Sequence, residues 1–425
     1  MIQRAAYRFV CIYLGLFSVA SQFLGGLILF PGFSFPPLGT VWPMRPITDW
    51  LGTHVFHVST LAVAGTSADT PFHWVQLSWI VVVAAMAAVA SVTVNVRLKP
   101  DKVRLKADPT NVDLTFDRAD YWFRLFLRFV LAAQMFYFGM AKVIPTQFPP
   151  AGLVTLLKPV GQLAPDDMLW TFIGTSVPYE MFTGWAEVAA GLLLLAPRTA
   201  ILGALIAFAD MLQVWILNMT YDVGLKQTSF HLLLIAVFLL GPDLKRIGAA
   251  VVARPEGRTY EWDHGKRLWV QIAFGLYLLA MFSRLALVSW ENPGGPGAPK
   301  SALYGIWDIS SMSVDGDTHP ALFNDYDRRW RRVIFDTPDL MIFQRLDDSF
   351  AHYGASIDVD RRQIALRKIQ SRLWKASFTF DRRDDDHMTI DGEMDDHKIH
   401  LELQRLPMDV FRLTNGPFRW VRPPG

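Results

Sequence analysis

Tyr179–Leu195 reads YEMFTGWAEVAAGLLLL, and this stretch decides what kind of protein the chain is. It is apolar and close to the length of about 20 residues that crosses the hydrocarbon core of a bilayer. Yet it carries two glutamates. Glu180, Gly184, Glu187 and Gly191 fall at i, i+4, i+7 and i+11, which is one helical face. A charge at the bilayer centre costs about 2.5–3.5 kcal/mol even on the mild insertion scale, so such residues turn inward and mark function. The glycines admit a neighbouring helix at close range. The stretch therefore reads as one member of a membrane helix bundle with a polar interior.

The rest of the chain agrees with a polytopic membrane protein. Hydrophobic residues make up 52% of its 425 residues, and the mean hydropathy is +0.23. A soluble chain has too little interior to hide so much apolar side chain. Residues 1–290 hold the long apolar runs, while 300–425 are dense in Asp, Arg and His. The net charge of +2 gives no sign of a nucleic-acid partner. A lone cysteine, Cys11, excludes intramolecular disulfides, c-type haem attachment and cysteine-ligated clusters.

Seven spans are expected, near 9–30, 73–96, 120–144, 178–196, 199–219, 229–249 and 268–290. Arg4 and Arg8 before the first run, with Ser18-Val19-Ala20 behind them, also fit a cleaved signal peptide. The run continues to Phe30, which favours an uncleaved helix. Basic residues then set the orientation. Arg97, Lys99, Lys102, Arg104, Lys106 and Arg118 follow the second span. Lys245, Arg246, Arg254, Arg258, Lys266 and Arg267 follow the sixth. The alternate loops hold only Arg45, Lys158 and Lys226. By the positive-inside rule the N-terminus is cytoplasmic and everything after the seventh span is extracytoplasmic.

Asn292–Pro299, NPGGPGAP, is a linker. Beyond it the period changes to two. Trp374, Ala376, Phe378 and Phe380 alternate with Lys375, Ser377 and Thr379, and Ile399, Leu401 and Leu403 alternate with His400, Glu402 and Gln404. Turn signals at Asp315-Gly316, Asp347-Asp348 and Asp391-Gly392 separate about eight such strands, which an up-and-down antiparallel barrel closes most simply. The expected organisation is thus 1–119, two helices with an outer and a basic inner loop; 120–250, a four-helix core; 251–291, a cytoplasmic loop and seventh span; 292–299, the linker; and 300–425, the β-barrel.

The candidate ligand-binding or proton-relay residues gather on helices three to six. Lys142 and Gln134 lie on the third, and Glu180 and Glu187 on the fourth. The fifth offers Gly203, Ala207, Asp210 and Gln213 on one face, with Asn218 near its end. The following loop adds Tyr221, Asp222 and Lys226, and His231 begins the sixth. One reading is a polar pocket open to the outside, suited to a polar head group or to proton transfer. The other pairs Lys142 with Glu180 or Glu187, and Lys226 with Asp210 or Asp222, to hold helices in register. The polar groups outnumber what two pairs need, which favours the pocket.

Leu153, Leu156, Leu157 and Val160, in the outer loop after the third span, predict a short amphipathic helix on the membrane surface, either a lid or a connector. His54 and His57 read as interfacial residues beside Trp42 and Trp50. His387, His397 and His400 stand among hairpin aspartates, and no metal site is expected. No nucleotide, haem or iron–sulfur motif occurs in a supporting context.

Phe123 to about Gly248 resembles the DoxX-like family of small four-helix membrane proteins. The matching stretches are FYFGMAKVIPTQF, YEMFTGWAEVAAGLLLL, RTAILGALIAF and NMTYDVGLKQTSFHLLLIAVFLL. The resemblance implies a four-helix bundle and quinone-linked redox chemistry, with a quinone or lipid-like molecule as ligand and a respiratory or exported protein as partner. The thiol chemistry of some relatives does not carry over to a chain without their cysteines. Gly305-Ile306-Trp307 resembles the lipocalin G-x-W motif, which implies a barrel that is either hollow and ligand-holding or filled. Two alternatives stand beside these. One is a non-enzymatic subunit or assembly factor whose barrel docks an exported partner. The other is similarity to vitamin K-dependent carboxylase-like enzymes, in which Lys142 is the lysine to consider as base.

Overall fold

The computed structural model describes residues 2–30, 33–60, 69–93, 102–103, 116–244, 247–248, 265–292, 295–320, 329–368 and 371–415. Most of the basic positions that set the orientation, from Arg97 to Lys106 apart from Lys102 and from Lys245 to Arg258, lie outside the described residues, as do linker residues 293 and 294. The chain divides into two units. One holds residues 1–147 and 178–287, the other 148–177 and 288–425.

The first unit is a helix bundle of α1 (Ile2–Ala20), α2 (Gln22–Gly25), α3 (Met44–Leu51), α4 (Pro71–Thr93), α5 (Arg118–Val143), α8 (Val177–Leu195), α9 (Ala200–Thr220), α10 (Lys226–Leu240) and α11 (Gly265–Glu291). The numbers α6 and α7 belong to the second unit. Among the described residues, four helices are long and apolar enough to cross a membrane: Pro71–Ser91, Ala119–Val143, Ala200–Thr220 and Trp269–Glu291. Of these, α5 is the hub. Its apolar window is 61% buried, against 22–28% for the other three, and Leu131, Ala132, Met135 and Phe136 are fully enclosed.

Two helices stop earlier than the sequence predicts. The first ends at Ala20 and not Phe30, because the Ser21 hydroxyl accepts from Phe23 N–H and starts the short α2. The sixth predicted span, α10, ends at Leu240, where Gly241-Pro242 breaks the helix.

In the second unit eight strands form an up-and-down antiparallel barrel. They are β1 (Gly305–Val314), β2 (Trp330–Phe335), β3 (Leu340–Arg345), β4 (Phe350–Asp358), β5 (Gln363–Lys368), β6 (Ser371–Arg382), β7 (His387–Met394) and β8 (His397–Arg405). Each pairs with the next, and β8 pairs with β1 to close the sheet. The interior is filled. Trp307, Phe335, Phe343, Phe378, Met388, Ile390 and Leu401 form one buried cluster, and Trp307 Nε1 donates to Leu303 O at 3.0 Å. Of the two expectations for the barrel, the packed one describes its described residues.

Asp391-Gly392 is not a turn but lies inside β7. A Cβ at Gly392 would stand 2.3 Å from the Phe378 ring, so this glycine makes room for a core aromatic on β6. The turn falls at Asp395-Asp396, both at positive φ. The hairpin histidines pair one to one with carboxylates: His387 with Asp384, His397 with Asp315, and His400 with Asp391. The Asp315 hydrogen bond raises the His397 imidazole above its ordinary value, and that same bond lowers Asp315. Among the described residues no group of three or more His, Cys, Asp or Glu is placed to hold a metal ion.

The amphipathic segment of the outer loop forms α6 (Leu153–Leu157) and seats on the barrel wall. Leu153 is buried with Ile306, Ile334 and Ile342, whose side chains leave the opposite face of the sheet from Trp307. Backbone N–H of Leu153 bonds Asp336, whose carboxyl is raised from its ordinary value by burial. A second helix, α7 (Pro165–Gly174), was not expected. Its Gly174 closes the loop on itself, since a Cβ there would lie 2.5 Å from Pro149 O.

Candidate functional site

The glycine spacing read from YEMFTGWAEVAAGLLLL governs the site. A Cβ at Gly184 would meet Gly139 O of α5 at 2.7 Å, and one at Gly191 would meet Ala132 O at 3.2 Å. Helices α5 and α8 therefore touch backbone to backbone along this face. Glu187, one turn from either glycine, is delivered straight into the contact. Lys142 comes from α5, one turn beyond Gly139.

Lys142 Nζ donates to both carboxylate oxygens of Glu187, at 2.6 and 2.8 Å. The pair is enclosed, with Lys142 7% and Glu187 1% exposed. Helix α9 closes in from the side through Gly203, where a Cβ would stand 2.7 Å from Leu194 N. It brings Asp210 beside Glu187, and Asp210 Oδ2 is buried without a protein donor. Lys142, Glu187 and Asp210 thus form one ionisable cluster across three helices. Glu180 is fully buried in the first turn of α8, where the helix dipole favours a carboxylate.

The other predicted residues go elsewhere. Lys226 donates to Asp222 Oδ1 at 2.8 Å in an exposed turn, and this bond holds the Asp222 carboxyl below its usual range. That pair is not part of the buried cluster. Tyr221 is exposed at the end of α9. Asn218 Nδ2 ties the α9–α10 turn by donating to Leu225 O and Ser229 Oγ. Gln213, which the sequence pattern puts on one face with Asp210, is exposed. The buried line of α9 runs through Ala207, Met211 and Asn218, and two residues beyond Met211 is about 200° round the helix. Gln134 is buried on α5.

His231 is enclosed and stacked on Phe17, ring centroids 3.4 Å apart. Its Nδ1 lies 2.6 Å from Gln227 O, an acceptor only, so Nδ1 donates and Nε2 accepts from Tyr13 O–H at 2.6 Å. Both ring nitrogens are used. His54 is exposed and stacks on Trp50.

Sequence reasoning missed a second polar place. Gln22, Asp69, His73 and Gln227 line a cavity of about 70 Å³ where the ends of α1, α4 and α10 meet. The available signal was weak: His73 and Gln76 stand three apart at the mouth of one span, and Ser21-Gln22 interrupts another.

Over 124 residues the chain is 37% identical to the uncharacterized protein YwoB of Bacillus subtilis (strain 168), a match that covers 29% of this chain and 76% of that protein. No family model matches the chain. No solved structure matches it significantly.

Proposed function

The chain belongs to the family of the uncharacterized Bacillus subtilis protein YwoB, and we propose that it is a bacterial inner-membrane protein that couples proton exchange to a quinone or similar amphiphile. The observation that carries this is the Lys142–Glu187–Asp210 cluster. One ammonium and two carboxylates would leave a net negative charge inside an apolar bundle. A proton on Asp210 balances the charge and gives its buried, unpartnered Oδ2 a hydrogen to donate. A group that holds a proton at such a place is suited to take it from, or give it to, a ligand in the same membrane.

On this reading the chain has seven spans, a DoxX-like core, a cytoplasmic N-terminus and an extracytoplasmic, lipocalin-like barrel. Support for the sidedness comes from the basic loops. Phe148–Val177 belongs to the barrel unit, and on this reading both are extracytoplasmic. Lys142 has both oxygens of Glu187 as acceptors, which favours a charge-balancing role over that of a free base. The filled barrel favours docking, of a partner or of the chain's own loop, over carriage of a ligand.

The test is proton linkage. Retention of decylubiquinone by the detergent-purified protein is expected to change with pH across the neutral range, and to become flat in Asp210→Asn. The same pH dependence in wild type and Asp210→Asn would refute the reading.

A further inference from the structure

We infer that the cavity between α1, α4 and α10 is a binding site for an uncharged amphiphile that presents a carbonyl oxygen. It rests on the reading of this chain as a membrane protein that takes an amphiphile, but it uses none of the residues of the Lys142–Glu187–Asp210 cluster.

The donors carry the argument. Gln227 is 6% exposed, lines the cavity, and its Nε2 is buried with no protein acceptor. Gln22 Nε2, contributed from the start of α2, is in the same condition. A buried amide N–H without an acceptor costs about 1–3 kcal/mol, and two on one cavity call for a ligand oxygen. His73 adds a third. Backbone N–H of Thr70 donates to its Nδ1 at 3.3 Å, so Nδ1 is an acceptor and the neutral ring carries its proton on Nε2.

Charge narrows the class further. Asp69 lies in the lining, which disfavours an anion. Its carboxylate is already engaged, accepting from Gln227 N–H at 3.1 and 3.3 Å at the start of α10, so it does not call for a cation. What remains is a neutral acceptor. Phe17 and Ile80 form an apolar wall, and the cavity sits at helix ends, the depth at which carbonyl groups of amphiphiles meet the interface. The volume of about 70 Å³ admits a polar head and not a whole molecule, so the tail must lie along the apolar side.

Two sources share this chemistry, a quinone ring and an acyl ester, and the experiment separates them. Retention of decylubiquinone and of dioctanoylglycerol is measured on immobilised full-length protein at one pH, for wild type, Gln227→Met and Gln22→Met. The backbone groups of Gln227 make the bonds to Asp69 and His231, so Gln227→Met removes the unpartnered amide nitrogen and leaves those bonds in place. An unchanged or raised melting temperature checks that the fold survives. The expected result is retention by wild type and a loss of about tenfold in each variant, the value of one buried hydrogen bond. Loss confined to decylubiquinone assigns a quinone, and loss confined to dioctanoylglycerol assigns a lipid ester. Equal retention of both probes by wild type and both variants overturns the site, and so does retention of neither probe by wild type. The Gln227→Met and Gln22→Met comparison at one pH judges this site, and the pH dependence of wild type against Asp210→Asn judges the proton-linkage reading, so the two failures are separate results.

Discussion

Lys142→Met is expected to lower the stability of the helix bundle by about 3–5 kcal/mol, the usual consequence of leaving one member of a buried ion pair alone. Glu187 is 1% exposed and has the Lys142 ammonium on both oxygens, so water cannot replace the lost partner. The companion variant decides the interpretation. Lys142→Met with Glu187→Leu removes both charges, and apolar pairs in such places are often neutral or stabilising. Most of the lost stability is therefore expected to return. Thermal unfolding of the detergent-purified variants, followed by helical circular dichroism, makes the comparison. If the double variant is as unstable as the single one, the pair is not what holds α5 to α8.

Gly184→Leu is expected to separate α5 from α8 and to do comparable damage. The first added atom would stand 2.7 Å from both Gly139 O and Lys142 Cβ, and the nearest obstacles include backbone, which cannot rotate away. Overpacking of this kind costs typically about 1–3 kcal/mol and more where backbone must move. Here it also pulls Glu187 from Lys142, adding the cost of an opened pair. Gly241→Ala serves as the control, since a Cβ there meets nothing within 4 Å and its backbone is ordinary right-handed helix. Equal melting temperatures for Gly184→Leu and wild type would show that the helices do not touch along this face.

The sequence carried these features unequally. Glycines and glutamates at i, i+4, i+7 and i+11 disclosed a close helix contact on this face of α8, though not that α5 makes it, because only one helical face can satisfy both close approach and charge burial. Period-two alternation disclosed the barrel for a similar reason. Phe378 and Phe380 lie in the core with one register only. Helix ends were harder. Ser21 and Gly241 stop helices inside apolar runs, a local event that hydropathy averages away. The exposed position of Gln213 was missed because 210 and 213 share a face only loosely, while the buried line of α9 was fixed by Ala207 and Met211. The Asp222–Lys226 pair was recognisable as i,i+4, but whether it turned inward depended on a turn at Asp222 with φ 55°. The cavity at Gln22, Asp69, His73 and Gln227 had no sequence signature, because it is assembled from three separate helix ends.

The claim on which the functional reading turns is that Asp210 carries a proton beside the Lys142–Glu187 pair. Infrared spectroscopy sees it directly through the C=O stretch of a protonated carboxyl, which a carboxylate lacks. The protein in detergent at neutral pH is predicted to show this band, to lose it in Asp210→Asn, and to keep it in Asp222→Asn, whose carboxylate lies in an exposed turn. Absence of the band from the wild-type protein, or its survival unchanged in Asp210→Asn, would contradict the account.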